Sequence, residues 1–152
     1  MECYLNYSKV KGGLSVVNTC ESKYRNTIVC IDAYHDKVMK GRLYNPYLED
    51  TIEFYGVMSF LYSMEEMLEQ MNYPRAYEIK RSFEKNKTYE CLVGSPGLNI
   101  KGEMGTFEIK ILFRQNASWQ GIVTWKEQEK EESFRSVLEL LFLIDSALQI
   151  NV

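Results

Sequence analysis

The chain has one histidine, His35, and four cysteines, Cys3, Cys20, Cys30 and Cys91, with no CxxC pair among them. That donor set excludes the usual zinc and iron–sulfur ligand arrangements, which draw on clustered thiolates and imidazoles. It also narrows nucleophilic catalysis, because any Ser/His/Asp or Cys/His machinery would have to use His35. His35 stands beside Asp32 and Asp36 in an expected hairpin turn, where solvent competes with an activating hydrogen bond and three crowded donors make a weak metal site. Basic excess is missing too: 18 Lys and Arg against 21 Asp and Glu leave a formal charge of −3. Unspecific binding of polyanions is disfavoured by that balance. No apolar run approaches the ~20 residues that span a bilayer, and Met1 to Lys9 carries no basic stretch followed by an apolar one. Reduced thiols, no membrane association, no cofactor and a cytoplasmic location are therefore expected.

What is present is ordinary globular composition, with 45% hydrophobic and 26% charged residues in 152. One domain over residues 1–152 is expected, large enough to bury about 70% of its unfolded surface without a metal or disulfide. The clearest helix is predicted from Asp50 to Met71, with Phe54, Val57, Met58, Leu61, Met64 and Leu68 on one face. Asp50 and Glu53 resemble a capping box, and Tyr73-Pro74 supplies the stop. A second helix is predicted from Ser133 to Ile150 through Phe134, Val137, Leu138, Leu141, Ile144 and Leu148. Its apolar surface is wider: Leu140, Phe142 and Leu143 lie beyond a single stripe and form a candidate interaction surface.

A hairpin is predicted before each helix. Thr27 to Tyr34 and Val38 to Tyr44 flank the turn His35-Asp36-Lys37. In the later hairpin Phe107, Ile109, Ile111 and Phe113 alternate with Glu108, Lys110, Leu112 and Arg114, and Arg114 to Ser118 turns the chain into Trp119–Trp125. A shift of 80 residues superposes Gly121 on Gly41, Phe134 on Phe54, Val137 on Val57, Leu141 on Leu61, Asp145 on Glu65 and Leu148 on Leu68, without a gap. The expectation is an internal duplication of a hairpin–helix unit. Units 27–71 and 106–150 flank a connector, 72–105, and share a four-stranded antiparallel sheet with two helices on one face, an α+β fold. Within the connector Tyr89 to Val93 reads as a short strand and Gly94-Ser95-Pro96-Gly97 as a turn; the proline withdraws a backbone donor that a phosphate loop would need.

Two stretches carry binding chemistry. Arg75, Tyr77, Lys80, Arg81, Phe83 and Lys85 interleave cations with aromatic rings, a composition suited to single-stranded nucleic acid, although Glu78, Glu84 and Glu90 dilute the charge. Glu65/Glu66 and Glu131/Glu132 are carboxylate pairs that read as helix solvation and, at 131 and 132, as favourable partners of a helix N-terminus.

Phe113-Arg114-Gln115-Asn116-Ala117-Ser118-Trp119-Gln120-Gly121, followed by Ser133-Phe134-Arg135-Ser136, resembles small uncharacterised proteins of anaerobic Firmicutes. Gly41-Arg42-Leu43-Tyr44-Asn45-Pro46 is similar to part of the same pattern. The resemblance implies a bacterial cytosolic setting and no site residues. The functional expectation is a non-catalytic protein-interaction or regulatory module that self-associates or binds a protein partner. Alternatives are a single-stranded nucleic-acid regulator using 73–89 and a small-ligand domain with a pocket between sheet and helices.

Overall fold

In the computed structural model, residues 25–76, 81, 83, 92–93 and 100–150 are described. Three strands, β1 (Asn26–His35), β2 (Val38–Tyr44) and β3 (Ile52–Tyr55), lead into α1 (Gly56–Met71). The two-residue β4 (Leu92–Val93) follows, then β5 (Gly105–Phe113), β6 (Gln120–Trp125), β7 (Lys130–Phe134) and α2 (Val137–Ile150). The sheet runs β4-β3-β2-β1-β5-β6-β7 with every pair antiparallel. Two meanders thus meet back to back at β1 and β5, each closed by a helix.

This corrects the four-stranded sheet expected from the sequence: six strands of four residues or more are present, with β4 added at one edge. The unit is strand–strand–strand–helix, not hairpin–helix. The extra strands are β3 and β7, whose residues read as first helical turns because Phe54 and Phe134 fall at helical spacing from Val57 and Val137. Helices accordingly begin at Gly56 and Val137 rather than at Asp50 and Ser133. No capping box forms at Asp50 and Glu53, since Glu53 pairs across to Arg42 within the sheet. Gly56 makes the strand-to-helix switch at φ +83, a conformation open to glycine at little cost. Ser136 does the job at α2, its Oγ accepting the Glu139 N–H at 3.2 Å.

The 80-residue shift has a geometric counterpart. Gly41 lies opposite Phe54, and Gly121 opposite Phe134; both phenylalanines are buried. A β-bulge interrupts β1 between Ile31 and Ala33 and β5 between Ile111 and Phe113, again 80 residues apart. Each hairpin turn holds two residues in the left-handed region, Asp36 and Lys37 in one and Asn116 and Ala117 in the other.

Both helices cover one face of the sheet. Val29, Ile31, Leu43, Phe54, Phe107, Ile109, Val123 and Phe134 from alternating strand positions share one core with Phe60, Met64, Leu140, Ile144 and Leu148 of the helices. Phe54 and Phe60 pack with ring centroids 5.3 Å apart. The opposite face carries Asp32, Arg42, Glu108, Lys110 and Thr124, all partly exposed. At one edge β7 presents Lys130, Glu131, Glu132 and Ser133 to solvent, a charged border that disfavours pairing with another strand. Glu131 and Glu132 therefore do not sit at a helix N-terminus as expected. Among the described residues no helix is long and apolar enough to cross a membrane.

Candidate functional site

The bulges decide which side chains reach the helix side. An extra residue inverts the in-out alternation of a strand. Past Leu112 the phase changes, so Phe113 is 52% exposed while Arg114 is 5% exposed. The alternation expected from sequence had Phe113 facing inward and Arg114 outward. In β1 the same inversion brings Tyr34 onto the side of α2.

Arg114 is held by three groups. Its Nη2 donates to Glu65 and, at 2.5 Å, to Glu69, both on α1, and its Nη1 donates to the Pro74 carbonyl at 3.3 Å. Glu65 also accepts the Trp119 indole N–H at 2.6 Å. The i,i+4 spacing of Glu65 and Glu69 stacks both carboxylates on one helix face. Burial alone would lower the Arg114 pKa, but the bonds to Glu65 and Glu69 outweigh it and hold the guanidinium above its ordinary value. Trp119 packs edge-on against Phe60 of α1, with centroids 6.4 Å apart, so the indole is held by a ring contact as well as by its bond to Glu65.

Around this cluster lies a cavity of about 420 Å³. Met58, Leu61, Ala76, Val137 and Trp119 supply apolar walls, while Glu65 and Glu69 share its lining with Arg114 and Arg81. Glu69 keeps 45% of its side chain exposed, and Arg81 is exposed, so each has a face toward water. The arrangement can enclose an apolar body and meet a polar head. The guanidinium of Arg114 stays charged at any working pH, so it holds the two carboxylates as an ion pair.

The residues singled out in the sequence scatter. Leu140 is fully buried in the core, so the interaction surface expected at Leu140, Phe142 and Leu143 loses its first member; Phe142 is 63% exposed and Leu143 is half-buried. The last helix is covered more completely than its composition suggests because the sheet beneath it is three strands wide per unit. Of the basic and aromatic stretch, Arg75, Arg81 and Phe83 are exposed. Tyr77, Lys80 and Lys85 lie outside the described residues, as do Cys3, Cys20, Cys91, the turn at 94–97 and residues 1–24.

His35 ends β1 in an exposed turn. Asp32 faces away, bound to Arg42 at 2.8 Å. No group of three or more His, Cys, Asp or Glu among the described residues is placed to hold a metal ion. Burial pushes the Cys30 thiol above its ordinary pKa, against the pull of Arg42, which disfavours the nucleophilic thiolate.

Sequence reasoning missed Arg114, Glu69 and Trp119 as a cluster. One signal pointed toward it: the 80-residue shift aligns Glu65 with Asp145, and both carboxylates receive a donor from the far end of the other unit's first strand. Comparison with family models, with curated proteins and with solved structures returns no match.

Proposed function

We propose that this protein is a non-catalytic binding module that takes a small amphiphilic molecule into the cavity beside α1. The observation that carries the reading is one concavity of about 420 Å³ with apolar walls and a base already fixed by ion pairs. Concavities of this size with a few convergent polar groups are where small molecules usually bind. Preorganisation matters here: Arg114, Glu65 and Trp119 are locked together, so binding need not order them. The ligand's apolar body would lie among Met58, Leu61 and Val137, and its polar head would meet the exposed sides of Glu69 and Arg81.

Trp119 gives a direct test. The chain has two tryptophans, so Trp125→Phe leaves Trp119 as the sole indole reporter. Titration with hydrophobic amino acids, their amides and alkylamines should give a saturable change in Trp119 emission, weakened by Met58→Glu. A flat response across this panel removes the reading.

A second reading, self-association through the helices, keeps one specific support. Met58, Leu138 and Phe142 are 62%, 59% and 63% exposed, and Leu138 is the counterpart of Met58 at the 80-residue shift. Sedimentation tests it: Phe142→Glu should shift an oligomer toward monomer, and a wild-type monomer at all concentrations ends it.

A further inference from the structure

We propose that the head group taken by the cavity beside α1 is a primary ammonium on a short alkyl chain, held at Glu69 in the role that Lys37 fills in the other half of the molecule. This rests on the cavity reading above and adds the chemical class of the ligand. At the 80-residue shift Tyr34, Lys37, Asp145 and Gln149 correspond to Arg114, Ala117, Glu65 and Glu69. In both sets a residue at the end of a strand donates to a carboxylate on the other unit's helix: Tyr34 to Asp145, and Arg114 to Glu65.

The turn residue beside that joint is where the halves part. Lys37 and Ala117 have the same backbone conformation, φ 64 and φ 51, each as the second left-handed residue of its hairpin turn. Lys37 sends its ammonium to Asp145, with Nζ 2.8 Å from Oδ1 and 3.0 Å from Oδ2. Ala117 stops at Cβ and borders the cavity together with Glu65 and Glu69. One half therefore carries its own alkylammonium against a helix carboxylate, and the other has a cavity at the corresponding turn.

Charge follows the same pattern. Lys37 and Asp145 cancel, and Tyr34 and Gln149 are neutral. Arg114 alone faces two carboxylates, so the corresponding four residues keep one negative charge. Arg114 reaches Glu69 through Oε1, and 45% of the Glu69 side chain is open to water. Arg81, the other cation on the lining, is exposed and bonds neither carboxylate among the described residues. An ammonium offers three donors on a compact charge, which suits a carboxylate with surface to spare. Its alkyl chain would cover Met58, Leu61 and Val137, apolar walls that a bare cation would leave in water.

Hexylamine is the probe, with 1-hexanol and hexanoate as comparators that keep the chain and carry a neutral or a negative head. The readout is the Trp119 indole N–H cross-peak in a nitrogen–proton correlation spectrum of the full chain, because that N–H donates to Glu65 within the cluster. Hexylamine should move the peak saturably and bind about tenfold more tightly than hexanol, as expected for one charge-assisted hydrogen bond. Glu69→Gln should erase that preference. Ala117→Lys, which supplies the ammonium from the chain as Lys37 does, should block hexylamine, and the turn accepts lysine because Lys37 already adopts its conformation. Nα-acetyl-lysine amide separates the two sources of this head group: tighter binding than hexylamine assigns a lysine side chain of a peptide, and weaker binding a free amine. Equal binding of hexylamine and hexanol, tighter binding of hexanoate, or an Ala117→Lys chain that still takes hexylamine overturns the inference and leaves the cavity reading standing. A fixed Trp119 peak with all three probes overturns both.

Discussion

Arg114, at the end of β5, donates to Glu65 of α1, and so ties the first strand of one meander to the helix of the other. Tyr34, 80 residues earlier at the end of β1, makes the matching contact to Asp145 of α2. The two joints differ in burial, since the Arg114 side chain is 4% exposed whereas Lys37, the cation that joins the Tyr34 pair, is 65% exposed. Removing one partner of a buried pair strands the other, which costs more than replacing both. Arg114→Met should therefore destabilise by about 3 kcal/mol, and adding Glu65→Met should recover part of the loss. Urea denaturation of the two variants and of Glu65→Met alone completes the cycle; strict additivity would count against a coupled joint.

Gly41 and Gly121 admit no side chain. A Cβ on Gly41 would stand 2.0 Å from the Cys30 carbonyl oxygen, and one on Gly121 would stand 2.0 Å from that of Lys110. Both neighbours are backbone in central strands, so neither can swing aside. Gly41→Ala and Gly121→Ala should each cost about 3 kcal/mol. Gly56→Ala meets nothing within 4 Å and carries only the strain of its positive φ, at about 1 kcal/mol. Thermal melts that rank Gly56→Ala as the worst of the three would show that steric fit is not what these glycines provide.

How far the sequence speaks depends on whether a feature is periodic. The 80-residue shift is legible because Gly41 and Phe54 recur at the same separation as Gly121 and Phe134, and in the fold each pair faces across neighbouring strands. β3 and β7 are not legible. β3 has only Ile52 and Phe54 turned inward, too few to show alternation, and Phe54 also satisfies the helical spacing of α1. β7 is a charged edge whose one buried residue is Phe134, and its glutamates read equally well as the acidic first turn of a helix. The cavity beside α1 was hidden for another reason: a bulge adds no signature to the alternation, yet it inverts the facing of everything beyond it. Arg114 looked solvent-exposed because that inversion cannot be counted from residue types.

Leu140 and Phe142 stand two residues apart on α2 and face opposite environments. Leu140 is fully buried against the sheet, and Phe142 is 63% exposed. Leu140→Ala should cost about 3 kcal/mol through lost burial and the cavity left behind. Phe142→Ala should stay within about 0.5 kcal/mol of the parent when the protein is monomeric. A large loss at Phe142 in dilute solution would mean that another surface covers it.

The Tyr34 and Asp145 joint should respond to pH at both extremes. Hydrogen bonds from Lys37, with Nζ at 2.8 Å from Oδ1, and then from Tyr34 and Gln149 hold the Asp145 carboxyl down at about 2, from an ordinary 3.8. A folded-state pKa below the unfolded one contributes stability above about pH 3.8 that is lost as pH falls toward 2. Burial, followed by the bond to Asp145, pushes the Tyr34 hydroxyl up to about 12 from 10.0. A raised pKa works in the other direction: its contribution is complete below pH 10 and is lost as pH rises toward 12. Asp145→Asn should flatten the wild-type difference on the acid side and bring the Tyr34 titration part of the way back, since burial of the ring remains. Carbon NMR of the tyrosine ring signals, assigned with Tyr34→Phe, follows both changes. If Tyr34 titrates at the same pH in Asp145→Asn as in the parent chain, the contact to Asp145 does not persist in solution.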